Sequence, residues 1–186
     1  ISYSDLVINC GSRTKVSKEF EELVQKKIAF PIKPFYESYK YILEEDVFDK
    51  VDELPFVIVG SGLAAIEIAF ALRRRWRYRP LILVCELEKL SNKFKFWLKK
   101  FKIKLQSDIK FNHKKILLCT GNAPHFWIKN NHLRLDSRGR IITNPNLKVE
   151  RFSNVFAVGD CANNGTSKSI SSGILAVKVV QSLAKN

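Results

Sequence analysis

The sequence contains no methionine, and its four cysteines include no Cys-x-x-Cys pair. Cys10, Cys85, Cys119 and Cys161 lie far apart, and none has a histidine at the spacing of metal ligands. This pattern argues against a redox-active dithiol and against a cysteine-based metal site. Three of the cysteines lie in or beside apolar runs, so we predict small buried thiols in a reducing cytoplasm.

Long hydrophobic runs are also lacking. The longest, FVIVGSGLAAIEIAFAL at 56–72, is broken by Glu67 and two glycines and is too short to span a bilayer. The opening ISYSDLVINCG has no basic segment followed by an apolar one, so no signal peptide is predicted. Acidic residues number 18 against 32 Lys and Arg, a net charge of +14. Such an excess favours nucleotide phosphates, nucleic acids or acidic membranes without choosing among them.

The 186 residues, 46% of them hydrophobic, are enough for one large domain or two small ones. Short apolar runs followed by turn residues predict buried strands at 5–10, 56–59, 81–86, 116–121 and 154–160. Helices are predicted at 35–45, 63–76 and 170–184. Residues 13–30 are predicted as helix and loop, 31–34 as an extended connection, and 132–145 as a hairpin about 137–139.

The clearest unit is a strand, a glycine turn, a helix and a second strand within 56–86, a βαβ arrangement. In Gly60-x-Gly62-x-x-Ala65, the first glycine allows the tight turn and the second lets a diphosphate approach the backbone. Ala65 keeps the helix close to the sheet. We therefore predict an α/β, Rossmann-like fold with a parallel sheet. The predicted nucleotide-binding residues are Gly60, Ser61, Gly62, Leu63, Ala64 and Ala65.

Two carboxylates accompany this turn. Glu86 ends the second strand, where it can accept hydrogen bonds from ribose hydroxyls and would repel a 2′-phosphate, so NAD is favoured over NADP. Lys89 and the arginine-rich segment 73–79 weaken that preference. Glu67 is the catalytic candidate, because it could orient the nicotinamide or relay a proton. The alternative is a carboxylate near a helix start that is favoured by the helix dipole.

Two basic segments allow more than one interpretation. Arg73, Arg74, Arg75, Arg77 and Arg79 cluster at a helix end, where cations suit the dipole and cover the last carbonyls. In the second segment, 93–105, the residues Phe94, Trp97, Leu98 and Phe101 share one helical face among lysines. Packing against the sheet is favoured over a membrane-surface helix or a nucleic-acid contact. His113, His125 and His132 show no ligand spacing and are predicted at the surface.

Three further segments carry a family resemblance: YSDLVINCGSRT at 3–14, ILLCTGNAP at 116–124, and DSRGRIITNPNLKVERFSNVFAVGDCAN at 136–163. Together with the glycine turn, and in this order, they resemble the pyridine nucleotide-disulfide oxidoreductase superfamily. Type II NADH dehydrogenases and the oxidoreductase half fused to some bacterial selenide, water dikinases are the most similar subgroups. The resemblance implies that Gly11 and Gly121 mark crossings between FAD and NAD(P)H domains. It also implies that Asp160, beside Gly159, binds the ribityl chain of FAD.

The resemblance implies three segments: 1–33 as the end of an FAD-binding domain and linker, 34–121 as the NAD(P)H-binding domain, and 122–186 as the returning part of the FAD-binding domain. The implied activity is hydride transfer from NADH to FAD and then to an acceptor, with quinone implied by the type II dehydrogenases. A peripheral position at the inner face of a membrane and a homodimer are also compatible with it. No metal and no nucleic acid are expected.

Two departures from the family limit this interpretation. Its first Gly-x-Gly-x-x-Gly, which holds the FAD adenylate, is absent from these residues. This chain alone is therefore not expected to bind FAD fully, and a non-catalytic NAD(H)-binding or sensing module is the alternative function. The stretch between Glu86 and Ile116 is also short for the family's nucleotide domain, which usually carries an antiparallel meander there. Either the meander is reduced or residues are missing.

Overall fold

The computed structural model describes residues 2–49, 54–109, 115–129 and 132–163. Two compact units are present, one formed by residues 14–121 and the other by residues 1–13 together with 122–186. The helices are α1 (Lys18–Gln25), α2 (Phe35–Glu44), α3 (Leu63–Arg75), α4 (Asn92–Lys100) and α5 (Phe126–Lys129). The strands are β1 (Leu6–Ile8), β2 (Arg13–Thr14), β3 (Ala29–Pro31), β4 (Phe56–Val59), β5 (Leu81–Val84), β6 (Ile103–Gln106), β7 (Ile116–Leu118), β8 (Asn122–Ala123), β9 (Ile141–Ile142), β10 (Val155–Ala157) and β11 (Ala162–Asn163).

A five-stranded parallel sheet in the order β3-β7-β4-β5-β6 forms the centre of unit 14–121. Every residue of β4 and β5 is buried, as expected for parallel strands covered on both faces. One face packs against α2, α3 and α4, and the other packs against α1. The predicted α/β fold with a parallel sheet is therefore confirmed.

Helix α3 packs on the sheet through small and branched residues. Ala65, Ile66, Ala69 and Leu72 are its buried positions, at the spacing of one helical face. The helix ends at Arg75, where Trp76 adopts an extended conformation. The Arg73 guanidinium donates hydrogen bonds at 2.9 Å each to the carbonyl oxygens of the C-cap residue Trp76 and of Arg79, so the predicted cover of helix-end carbonyls is seen at Trp76.

The other arginines of this segment have different roles. Arg79 is fully buried, and its guanidinium donates to a carboxylate oxygen of Glu45 at 2.8 Å and to the Glu45 carbonyl at 3.0 Å. The rings of Phe56 and Trp76 lie within 5.2 and 4.9 Å of its charged carbon. The helix-end interpretation is therefore wrong for Arg79, which is a core residue: a buried carboxylate and aromatic rings compensate its desolvation.

Strand β3 was not predicted. Ala29–Pro31 pairs in parallel with β7 at the edge of the sheet, in the region where the sequence predicts helix, loop and an extended connection. The strand is only three residues long, and Pro31 obscures the pattern because proline within a sheet is confined to edge strands, strand starts and bulges. This compact unit begins at Thr14, and the start of the nucleotide domain at residue 34, which the resemblance implies, stays a prediction.

The basic segment 93–105 divides into two elements. Helix α4 ends at Lys100, Lys102 has a φ of 55°, and β6 follows in parallel register with β5. Leu98 is buried as the packing interpretation predicts, but Trp97 and Phe101 remain 37% and 46% exposed. Only residues 107–115 separate β6 from β7 in the sequence, and residues 110–114 of that stretch lie outside the described part of the chain.

In the other unit, β1 pairs with β10 and β9 pairs with β11, both in parallel. Its core contains Ile128, Ile141, Val149, Val155, Ala157 and Cys161. The predicted hairpin is present as a turn at Asp136–Arg140, closed by an antiparallel bridge between Leu135 and Ile141. The helix predicted at 170–184 lies outside the described residues. No helix in the described part of the chain is long and apolar enough to span a bilayer.

Candidate nucleotide-binding site

The strand-to-helix turn after β4 is closely packed at its first glycine. Gly60 has a φ of 152°, and a Cβ atom placed there would lie 2.3 Å from the carbonyl oxygen of Cys119. The Gly60 N–H donates to the Val84 carbonyl at 2.9 Å. The turn is therefore held between the ends of β5 and β7, and only glycine fits at its first position.

The second glycine faces open space. Gly62 is the N-cap of α3, with a φ of −87°, and no atom lies within 4 Å of a Cβ placed on it. Gly62, Leu63 and Ala64 are exposed. Among the described residues, no acceptor takes the N–H groups of Leu63 and Ala64. The main chain at the start of α3 is accordingly accessible at the carboxyl edge of the sheet, a geometry that suits a phosphate group.

Ser61 joins this turn to the end of β5. Its hydroxyl accepts a hydrogen bond from the Glu86 N–H at 2.9 Å. The Glu86 carboxylate is 56% exposed and forms an ion pair with Lys89 at 2.6 Å. The structure thus brings the predicted residues 60–65 and Glu86 together at one edge. A carboxylate and an ammonium group lie side by side where the sequence places the ribose contact.

Glu67 lies on the exposed face of α3, one turn after the helix start. Ala65 and Ile66, its neighbours in sequence, are buried. Within the described residues its carboxylate forms no hydrogen bond or ion pair. The side chain is therefore accessible, and its catalytic role stays a prediction.

The predicted flavin-side residues divide between the two units. Gly11, Gly159 and Asp160 belong to unit 1–13/122–186, and Gly121 belongs to unit 14–121. Gly11, Gly121 and Gly159 have φ values of 67°, 94° and 74°. These are left-handed conformations that glycine adopts at low cost. Strand β10 ends at Ala157, and Gly159 and Asp160 begin the short 3-10 helix that follows it at Gly159–Cys161.

The Asp160 carboxylate contacts Ser12 and Asn122, which were not predicted as site residues. The carboxylate accepts hydrogen bonds from the Ser12 hydroxyl at 3.0 Å and from the Asn122 amide at 3.4 Å. Ser12 and Asn122 each directly follow a glycine of the two strand-to-glycine segments. The sequence signal that could have revealed them is the polar residue directly after each of these two glycines. In the structure both polar residues donate to the same carboxylate.

Two further predictions can be compared with the structure. His125 is half-buried, with its Nε2 atom 3.1 Å from the Cys10 carbonyl oxygen, His132 is exposed as predicted, and His113 lies outside the described residues. All four cysteines are free thiols, and all but the half-buried Cys10 are fully buried. Burial raises the pKa of Cys119 to about 12, so this thiol stays protonated and unreactive at neutral pH. In the described part of the chain no metal-binding side chains converge.

Comparison with known proteins identifies relatives of this chain. It is 48% identical over 48 residues to "Probable NADH dehydrogenase" from Dictyostelium discoideum, covering 26% of this chain and 11% of that protein. It is 26% identical over 206 residues to "Ferroptosis suppressor protein 1" from Homo sapiens, covering 90% of this chain and 52% of that protein. The chain thus spans about half the length of the human relative.

The fold is similar to that of the water-forming NADH oxidase from Lactobacillus brevis, whose structure contains NADH. The TM-score is 0.70 at 17% sequence identity, and the match covers 100% of this chain and 46% of that one. The family profile of pyridine nucleotide-disulphide oxidoreductases matches residues 83–179, more than half of the chain. The parallel sheet, the glycine turn and this match agree with the resemblance found in the sequence. The chain therefore belongs to the pyridine nucleotide-disulphide oxidoreductase family.

Proposed function

We propose that this chain is the nucleotide-binding portion of an FAD-dependent NAD(P)H oxidoreductase. The observation that carries the proposal is the accessible main chain at Gly62, at the carboxyl edge of a parallel sheet. The close packing at Gly60 fixes the position of this turn, and the open side of Gly62 leaves room for a diphosphate. Family membership supports the same use of the site.

NADH is the proposed dinucleotide. Its diphosphate would accept hydrogen bonds from the N–H groups at the start of α3, and Glu86 would accept them from the adenosine ribose. The Glu86 carboxylate disfavours a 2′-phosphate, and the nearby Lys89 ammonium reduces that effect because it neutralises part of the negative charge. The presence of NADH in the Lactobacillus brevis oxidase supports NAD as the first choice.

FAD is the proposed second cofactor, with Gly159 allowing close approach and Asp160 binding the ribityl chain. When bound together, the nicotinamide and the flavin supply the hydride transfer, and the protein binds and orients them. The fixed Asp160 carboxylate fits this role, because Ser12 and Asn122 hold it at the end of β10. Similarity to a probable NADH dehydrogenase supports NADH as the electron donor. A quinone as the final acceptor, and a cytoplasmic protein that contacts a membrane peripherally, complete the proposal on the resemblance to type II NADH dehydrogenases. A homodimer is part of the same proposal.

Glu67 is the proposed catalytic residue. Its exposed carboxylate on the first turns of α3 is accessible to a nicotinamide that extends from the diphosphate site. We expect Glu67→Gln to slow flavin reduction by NADH several-fold while the Kd for NADH stays unchanged. An unchanged rate of reduction in stopped-flow measurements would contradict a catalytic role and leave Glu67 as a carboxylate that only interacts with the helix dipole.

Visible spectroscopy of the full-length protein tests the proposed activity. We expect flavin absorbance that is bleached by NADH under anaerobic conditions and restored by a quinone. A colourless protein that binds NADH would support the alternative, a non-catalytic NAD(H)-binding or sensing module. A protein that binds neither flavin nor NADH would contradict both.

A further inference from the structure

A group of aromatic side chains is exposed on α4 and just after it. Phe96, Trp97 and Phe101 are 61%, 37% and 46% exposed. Their rings contact one another, with centroids 5.6 Å apart for Phe96 and Trp97 and 6.1 Å apart for Trp97 and Phe101. We call these three residues the aromatic ridge. Large apolar groups that cluster at a surface, rather than occurring singly, indicate a contact site.

A cleft of about 600 Å³ lies beside this ridge, between α4 and the end of α3. It is lined by Phe70, Arg73, Arg74, Arg77, Trp97 and Phe101. Its floor is aromatic, since the rings of Phe70 and Phe101 meet edge to face at 5.6 Å. Its rim is cationic, because Arg74 and Arg77 are exposed. The cleft therefore combines an apolar interior with a positive border.

The two segments that form the ridge and the cleft carry cations but no acid, and the carboxylates near them include that of Asp46, paired with Arg75, and that of Asp49, beside Arg73. Neither 68–85 nor 89–107 contains an Asp or a Glu. Arg74 and Arg77 have no ion-pair partner among the described residues. Lys93 and Lys100 share a helical face with the ridge residues Phe96 and Trp97. The aromatic groups therefore lie among four cations that form no ion pair with any described residue.

We propose that this ridge and its cationic rim form a docking surface for a membrane that contains anionic phospholipids. Aromatic rings favour the interfacial region of a bilayer, and lysine and arginine side chains are attracted to the negative headgroups. Charge complementarity selects this occupant, because the two segments that form the surface supply cations and apolar rings, and Arg74 and Arg77 pair with no carboxylate among the described residues. The end of α3 supplies arginines and α4 supplies aromatic rings, so both components of peripheral binding, charge and apolar groups, are present.

The ring geometry favours a membrane over a single-stranded nucleic acid. Base stacking needs a free ring face. The Lys100 ammonium lies over the Trp97 ring at 4.8 Å, and Phe96 meets that ring at an interplanar angle of 78°. Phe101 likewise meets Phe70 at 76°. The rings therefore form a compact apolar ridge suited to insertion rather than a set of stacking platforms.

This surface is separate from the proposed dinucleotide site. Helix α3 begins at the glycine turn and ends beside the cleft, and 13 residues of α-helix span about 20 Å. The inference rests on the peripheral membrane contact in the proposed function and deepens it by naming the surface and the class of lipid. The two sites can be tested independently, because substitutions at one end of α3 leave the other end unchanged.

Vesicle co-sedimentation of the full-length protein tests the proposal. We expect binding to phosphatidylcholine vesicles that contain phosphatidylglycerol, weakening as NaCl is raised, and little binding to phosphatidylcholine alone. The charge reversal Arg74→Glu with Arg77→Glu should lower partitioning at least about 25-fold, since each basic residue near such a surface contributes about fivefold. Phe96→Ser with Trp97→Ser should also lower it.

Tyr36 and Lys40 provide the matched control, because the Lys40 ammonium lies over the exposed Tyr36 ring at 4.5 Å on α2. Tyr36→Ser with Lys40→Ser should leave vesicle binding unchanged. Equal binding of all variants, or no binding of the wild type to anionic vesicles, overturns the proposal. Salt-sensitive binding to single-stranded RNA without vesicle binding overturns it as well. NADH affinity should be unchanged in every ridge and rim variant, so failure of this proposal is distinguishable from failure of the proposed function.

Discussion

Alanine substitutions at Gly60 and Gly62 should separate folding from nucleotide binding. The two glycines lie two residues apart, yet their surroundings differ completely. A Cβ at Gly60 would lie 2.3 Å from the Cys119 carbonyl oxygen, whereas a Cβ at Gly62 would contact nothing within 4 Å. Gly60 also has a φ of 152°, which L-residues rarely adopt, whereas Gly62 has an ordinary φ of −87°.

The magnitudes follow from these contacts. At Gly60 the strained backbone costs ~1–3 kcal/mol and the overlap with a buried main chain costs ~1–3 kcal/mol, together about 2–6 kcal/mol. Because domains unfold with only about 5–15 kcal/mol, Gly60→Ala should unfold or strongly destabilise the protein. At Gly62 the loss of an N-cap glycine costs less than about 1 kcal/mol.

Denaturant unfolding followed by circular dichroism and titration with NADH measure the two effects. Gly62→Val should retain most of the stability and lose more than about tenfold in NADH affinity, because its side chain occupies the approach to the α3 N–H groups. Gly62→Ala should be intermediate in affinity. Wild-type NADH affinity in Gly62→Val, or wild-type stability in Gly60→Ala, would refute the reasoning.

Three further substitutions test other parts of the structure. Glu86→Ala should relax discrimination against NADPH in binding titrations. The control Glu88→Ala should not, because Glu88 is exposed and forms no ion pair among the described residues. Equal NADH-to-NADPH selectivity in both variants would show that Glu86 does not contact the ribose. Arg79→Met should lower the free energy of unfolding by about 3–5 kcal/mol in denaturant titrations, because the buried Glu45 carboxylate loses its guanidinium partner. A loss below about 1 kcal/mol, as for a surface substitution, would contradict this. Although burial raises the pKa of Asp136, hydrogen bonds from the backbone and side chain of Arg140 and from the Arg138 N–H outweigh that effect and lower the pKa below its ordinary value of 3.8. This carboxylate therefore contributes stability above pH 3.8 that is lost as the pH falls through its folded-state pKa, and Asp136→Asn should flatten the acid limb of a stability–pH curve.

The central part of the fold could be predicted from the sequence because its signals are local. The run FVIV gave the bounds of β4 at 56–59, and the glycine turn with an apolar helical face predicted α3 to within one residue. The strands at 81–84 and 116–118 were also predicted, although each was placed two or three residues too long. Continuous β-branched and leucine runs mark strands that are covered on both faces.

The parts that were missed depend on contacts distant in sequence. Strand β3 has no pattern of its own and exists because β7 pairs with it. Arg79 belongs to a charged segment, and only tertiary packing against Glu45 and three aromatic rings makes it a core residue. The Ser12 and Asn122 contacts with Asp160 join residues 148 and 38 positions apart. Local periodicity carries no information about such pairs.

The order of strands in the sheet has a consequence for biosynthesis. β7 is the last strand of its sheet in sequence but lies between β3 and β4. Until residues 116–118 have left the ribosome, β3 has no neighbour to pair with, and the β4-β5-β6 half exposes an unpaired edge. Assembly of this unit therefore waits for its final strand, and a chain that stops before β7 should remain incompletely folded and prone to aggregation.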